Sequence, residues 1–218
     1  TIAMCRGFIG VLFLLAAMMV LRKKFSKTAI KANLMVLCIS GALIGFNWIF
    51  LFEAYNYTTV ATATLCYYMA PVFVILMSPI VLKEKLTGKQ IVCFIMSTLG
   101  IVMITGIGDM GGGNNIIGIL FGLGAAVFYA TVILLNKFIK NVEGLHRTFM
   151  QFIAAVVTLI PYVMLTSGVT LGGMDSVGWI NLLIVGLVHT GITYCMYFSS
   201  LKELPGQKVA ILSYIDPL

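Results

Sequence analysis

His189, Thr190, Thr193, Tyr194 and Tyr197 recur at three- and four-residue spacing inside one long apolar run. That spacing sets them along one stripe of a helix, a stripe expected to face the interior of a bundle. An imidazole in such a run serves as a proton or hydrogen-bonding station, or as a packing histidine whose ring is satisfied locally. The threonines serve either a ligand or a neighbouring helix. A second group, Asn47 and Trp48, pairs an amide with a large ring in an earlier apolar run. A third sets Tyr67 and Tyr68 within a turn of Pro71, and Tyr214 and Asp216 within a turn of Pro217. Proline cannot donate to the carbonyl four residues back, so both helices should bend, Pro71 at Tyr67 and Pro217 at Ser213. A carboxylate at Asp216 then needs a partner, a proton or a cationic ligand. These side chains offer hydrogen bonds, aromatic enclosure and a proton site. They do not offer covalent catalysis: the sequence has no HExxH, no GxSxG and no paired carboxylates within an apolar run. No catalytic residue, no metal ligand set and no cofactor are assigned.

The elements that must carry these residues are long and apolar. Hydrophobic residues make up 61% of the 218, charged residues only 10%. A soluble domain is excluded by that balance. A helix needs about 20 apolar residues to cross a bilayer core, and the chain divides into runs of about that length. They cover residues 2–21, 32–52, 60–82, 91–107, 117–135, 149–165 and 179–201, with a truncated run from 209 to 218. Runs without period-two alternation cannot close a barrel, so the fold class is all-α, a polytopic transmembrane helix bundle. The five cysteines lie inside these runs without CxxC pairing and read as small buried hydrophobes. Thr1 already lies in an apolar stretch and the chain stops in mid-run at Leu218, so it is expected to be part of a longer chain.

The cations orient the spans. Arg22, Lys23, Lys24, Lys27 and Lys31 follow the first run, Lys83, Lys85 and Lys89 the third, Lys137, Lys140 and Arg147 the fifth, and Lys202 and Lys208 the seventh. Arg6 alone stands on the other side, with Glu53, Asp109 and Asp175 near those gaps. Odd-numbered runs should therefore descend toward the cytoplasm. The net charge of +7 is thus directed at lipid headgroups, and nucleic acid is not an expected partner.

Sliding the chain so that Gly45 lies on Gly191 also lays Asn47 on Thr193, Trp48 on Tyr194, Phe52 on Phe198, Tyr68 on Tyr214 and Pro71 on Pro217. Runs two and three then fall on runs seven and eight, five spans apart and so oppositely oriented. Inverted repeats of this kind are characteristic of secondary transporters, which hold solute near the midplane where the halves meet.

Several stretches resemble the EamA-type branch of the drug/metabolite transporter superfamily. They are Arg6 opening a span that ends in Arg22, Lys23 and Lys24; Ala54 to Thr59 leading to Ala70 and Pro71; and Glu84, Leu86, Thr87, Gln90 and Gly100. In the second half they are Gly118, Ala125, Ala126 and Tyr129, then Leu201, Leu204, Pro205 and Pro217. Cys93 departs from the pattern, where a glycine is usual. The resemblance implies ten helices as two inverted five-helix repeats, of which this chain covers helices 2 to 9. Residues 1–108 would be the first repeat without helix 1, 109–115 a linker, and 116–218 the second repeat with helix 9 truncated and helix 10 missing.

On this reading the protein is a secondary transporter in the cell (inner) membrane, exporting a small organic metabolite such as an amino acid by alternating access around a midplane cavity. It is not an enzyme; a passive channel or an intramembrane enzyme is the competing class. Asn47, Trp48, Tyr67, Tyr68, Tyr129, His189, Thr193, Tyr194, Tyr214 and Asp216 are the expected substrate-binding residues. The expected partners are the solute, the lipid bilayer and a coupling proton, with a homodimer left open. No Walker-type loop for ATP occurs, so a gradient must drive the process.

Overall fold

The computed structural model describes residues 1–22, 27–83, 86–105, 113–166, 168, 175–193 and 196. These residues form helices α1 (Ile2–Val20), α2 (Lys27–Tyr57), α3 (Val60–Tyr67), α4 (Ala70–Val81), α5 (Gly88–Thr105), α6 (Gly113–Asn136), α7 (Gly144–Thr166) and α8 (Ser176–Ile184). From Val185 to Ile192, α8 continues as a π-helix. The described residues contain no strand. Five helical stretches, Ile2–Val20, Lys27–Tyr57, Val60–Val81, Asn115–Asn136 and Gly144–Thr166, are long and apolar enough to cross a membrane. The all-α polytopic expectation therefore holds.

Boundaries differ from the apolar runs for a physical reason. The 31 residues of α2 extend about 46 Å, well beyond the roughly 30 Å hydrocarbon core. Hydropathy registers only the part in oil, while Lys27, Lys31 and Asn56 lie on the helical ends outside it.

The break near Pro71 is where the chain chemistry requires one. Thr59 opens α3 by accepting from the Thr62 amide at 3.1 Å. The helix stops at Tyr67, Met69 donates back to the Cys66 carbonyl in a tightened turn, and α4 starts at Ala70 with Pro71 in its first turn. Pro79 lies inside α4 and removes the donor to the Ile75 carbonyl. The buried Ser78 hydroxyl supplies a replacement, donating to that carbonyl at 3.1 Å. Arg22 and Lys83 end α1 and α4 at φ 49 and 56, so basic residues take left-handed positions that usually go to glycine.

The described residues cluster into two units, 1–46 with 135–196 and 47–134. In the first, α1 packs on α7 and on the π-helical stretch. Gly41 and Gly45 of α2 lie against α7: a Cβ on Gly41 would run into the Gln151 carbonyl oxygen, and one on Gly45 would lie 2.9 Å from Thr158. In the second unit, α5 packs on α3 and α4. Gly118 and Gly122 of α6 meet Thr58 and Cys66, at 2.6 and 2.8 Å from an added Cβ. Both small-residue pairs permit the close helix approach that their spacing announces.

Gly41→Ala should destabilise the folded protein by about 1–3 kcal/mol through overpacking, read as a lower apparent Tm in detergent. Gly100→Ala, where nothing lies within 4 Å of the added carbon, should leave Tm unchanged or raise it. Equal Tm values for the two variants would contradict the packing described.

Candidate functional site

In the second unit the expected residues converge at the α3–α4 break. The Tyr67 and Tyr129 rings lie with centroids 5.5 Å apart and planes at 40°, and Tyr67 and Tyr68 are 6.3 Å apart. Tyr129, on α6, packs on a buried cluster of Met69, Ala70, Val72 and Ala126. All three tyrosines remain partly exposed, so each presents an apolar ring with a hydroxyl handle. Pro71 sets the break that they flank: α3 ends at Tyr67, and α4 begins at Ala70 with Pro71 in its first turn.

Asn47 and Trp48 occupy a different environment. Both are about 1% exposed. The Asn47 amide donates to the Ala125 carbonyl at 2.7 Å, joining α2 to α6 inside the unit. Nearby, Phe50 packs edge-on against Phe121 and Phe128, with centroids 5.2 and 5.0 Å away. In apolar surroundings such an amide cannot be left unsatisfied, and here a backbone acceptor meets that need.

In the first unit the expected stripe on the seventh span is split. Thr190 is buried against α1, whereas His189 and Thr193 are exposed. The Thr193 hydroxyl donates to the Val188 carbonyl at 3.1 Å. The stripe presumed α-helical spacing, and the π-helical turn changes which residues share a face. Tyr194, Tyr214 and Asp216, with Tyr197 and Pro217, lie outside the described residues.

Sequence reasoning missed a buried polar network in this unit. The Gln151 amide donates to the Ser40 hydroxyl at 2.7 Å and to the Asn136 side-chain oxygen at 3.1 Å. Arg147 donates to the main-chain carbonyl of Asn136 at 3.2 Å, which places a cation at the C-terminal, electronegative end of α6. His146 and Glu143 lie 3.6 Å apart at its edge. Arg147 is 1% exposed and sits in the first turn of α7, so it is not one of the headgroup-facing cations with which the charge pattern grouped it. The available signal was Gln151 itself, four residues after Arg147 on one helix face, a polar pair that an apolar run does not carry without partners.

An apolar cavity of about 470 Å³ opens on the first unit among α1, α7 and α8, lined by Cys5, Phe8, Ile160, Trp179 and others. It offers no hydrogen bond that would discriminate a polar solute. Among the described residues, no group of three His, Cys, Asp or Glu side chains could hold a metal ion.

A helix bundle with membrane-length apolar spans, buried polar contacts between helices and aromatic side chains at a helix break defines a multi-pass membrane protein. The chain matches the EamA-like transporter family over residues 1–106 and 116–218. It belongs to that family, and through it to the drug/metabolite transporter superfamily. It is similar to the uncharacterized transporter YxxF of Bacillus subtilis, 33% identical over 179 residues that cover 81% of this chain and 57% of the relative. An uncharacterized transporter of Clostridium kluyveri is 28% identical over 171 residues, covering 75% and 54%. The chain thus spans little more than half the length of these relatives. A solved crystal structure of a protein aligns with 99% of this chain and 74% of its own, with a TM-score of 0.72 at 19% identity. That likeness concerns the fold alone.

Gln151→Leu should cost about 1–3 kcal/mol by removing both amide bonds from a buried network. Ser40→Ala should cost less, because Gln151 keeps its bond to Asn136. Thermal unfolding of the two variants in detergent checks the order; a Ser40→Ala loss equal to that of Gln151→Leu would contradict it.

Proposed function

We propose that the protein is a secondary transporter of the cell (inner) membrane that exports a small organic metabolite, such as an amino acid or a related compound, by alternating access around a midplane cavity. The observation that carries this reading is the group of three partly exposed tyrosines, Tyr67, Tyr68 and Tyr129, gathered where a membrane-length helix is broken. Irregular backbone at membrane depth is tolerated where it is buried in protein or lines a water-filled cavity, and discontinuous helices mark solute sites in this class of protein. Family membership and the relatives' names support transport over catalysis.

The tyrosine rings would enclose the apolar body of the solute. His189 and Thr193 would supply hydrogen bonds or a coupling proton, and Tyr194, Tyr214 and Asp216 complete the proposed set. Asn47 and Trp48 would act from behind, through the α2–α6 contact. The two repeats would be 1–108 and 116–218, joined by 109–115. The lipid bilayer is the other partner, and a homodimer is compatible with the scheme.

Purified full-length protein in liposomes, assayed with a labelled amino-acid mixture, should show saturable uptake stimulated by unlabelled solute on the opposite side. Flux that rises linearly without counterflow would mark a channel instead. Tyr129→Ala and His189→Ala should each lower the initial rate about tenfold or more, if each removes at least one solute contact worth roughly 1.4 kcal/mol. Parental rates in both variants would overturn the site assignment.

A further inference from the structure

The π-helical stretch Val185–Ile192 is the least ordinary backbone among the described residues. Such helices are rare and mostly single-turn, and they are found frequently at functional sites. Here the side chains reinforce the wide turn. Thr190 donates its hydroxyl to the Val185 carbonyl at 2.8 Å, and Thr193 to that of Val188 at 3.1 Å. Both bonds reach five residues back rather than the usual three or four.

The contacts with α1 depend on that turn. A Cβ on Gly186 would lie 2.7 Å from Ile9, and one on Gly191 would lie 2.5 Å from the Phe13 ring. Thr190 packs 3.1 Å from where a Gly10 Cβ would be. In an α-helix, residues five apart point about 140° from one another, so Gly186 and Gly191 could not both face one neighbour. The π turn, bonded i to i+5, brings them nearly into line.

In an α register the face containing Gly186 would instead hold 189, 190 and 193, by the i, i+3, i+4, i+7 rule. Gly186 and Thr190 would stay toward α1, Gly191 would swing out, and His189 and Thr193 would turn in. Gly186 and Thr190 face α1 in both registers; the π register adds Gly191 to that face and the α register adds His189 and Thr193.

We propose that Val185–Ile192 is a two-register switch whose π-to-α conversion turns His189 and Thr193 from the exposed face onto α1. The rotation is roughly the 100° that one residue contributes. It rests on the transport reading only for its purpose, which is to present or withdraw the His189 and Thr193 side chains during the transport cycle. Within the described stretch, two hydroxyl bonds change carbonyl and one glycine leaves the Phe13 ring.

The test uses full-length protein in bilayers, with its native cysteines replaced and a nitroxide attached through His189→Cys. Spin-label mobility reports packing even for a side chain in lipid. The parent should give a mobile spectrum. Gly191→Ala sets a methyl against Phe13 in the π register only, and should raise the immobilised-to-mobile ratio roughly tenfold. Adding Phe13→Ala relieves that contact and should return the mobile spectrum. A label at Leu183, exposed and ahead of the stretch, should remain unchanged throughout.

A parent spectrum already immobilised, no response to Gly191→Ala, no rescue by Phe13→Ala, or an equal change at Leu183 would each overturn the switch. None of these spectra needs a solute. Absence of saturable flux with the expected spectra would sink the transport reading alone, and saturable flux without them would sink the switch alone.

Discussion

In hydrocarbon no water stands ready to bond a peptide group that the chain leaves open, and each unsatisfied group there costs several kcal/mol. Helices meet the requirement along most of this chain, and the informative residues are those that meet it where the helix cannot. Ser78 replaces the donor that Pro79 removes. Arg147 closes the last carbonyl of α6, and Asn47 spends its amide on Ala125. Thr190 and Thr193 bond the displaced carbonyls of the π-helical turn. Ser78, Arg147 and the two threonines bond backbone acceptors where a helix lacks a donor, ends or widens, whereas Asn47 satisfies its own amide between two continuous helices.

Close approach is the second condition, since apolar tails compete equally for apolar side chains and leave packing to shape. Glycines at 41, 45, 118 and 122 let α7, Thr58 and Cys66 come within contact of helix backbone. The amide of Gln151 and the carbonyl of Ala125 can then be bonded across helices. Polar repair and glycine contact depend on one another: a side chain as short as Ser40 reaches Gln151 only because Gly41 beside it admits α7.

Much of this was legible in the sequence, and the part that was not has a common cause. Five of the spans and a bend at Pro71 follow from local chemistry, because period and missing donor act within a few residues. Arg147 reads as one more interfacial cation until Asn136 and Ser40, distant in sequence, are placed beside its helix. The stripe through His189, Thr190 and Thr193 presumed 3.6 residues per turn. The five-residue spacing of Gly186 and Gly191 acquires meaning only once α1 is known to be their shared neighbour. The meeting of Tyr67 with Tyr129 is likewise a long-range contact, although each ring was singled out beforehand. Left-handed Arg22 and Lys83 carry no glycine to announce them.

Fold and proposed site alike require the chain to cross the membrane with its basic gaps on one face and the α7–α8 gap on the other. Single cysteines in a cysteine-free background, Lys31→Cys ahead of the apolar part of α2 and Ser176→Cys at the start of α8, can be treated in intact cells with a membrane-impermeant maleimide. The threading described here predicts that the cysteine at 176 reacts from outside and the one at 31 only after permeabilisation. Reaction of both from the same face would contradict it.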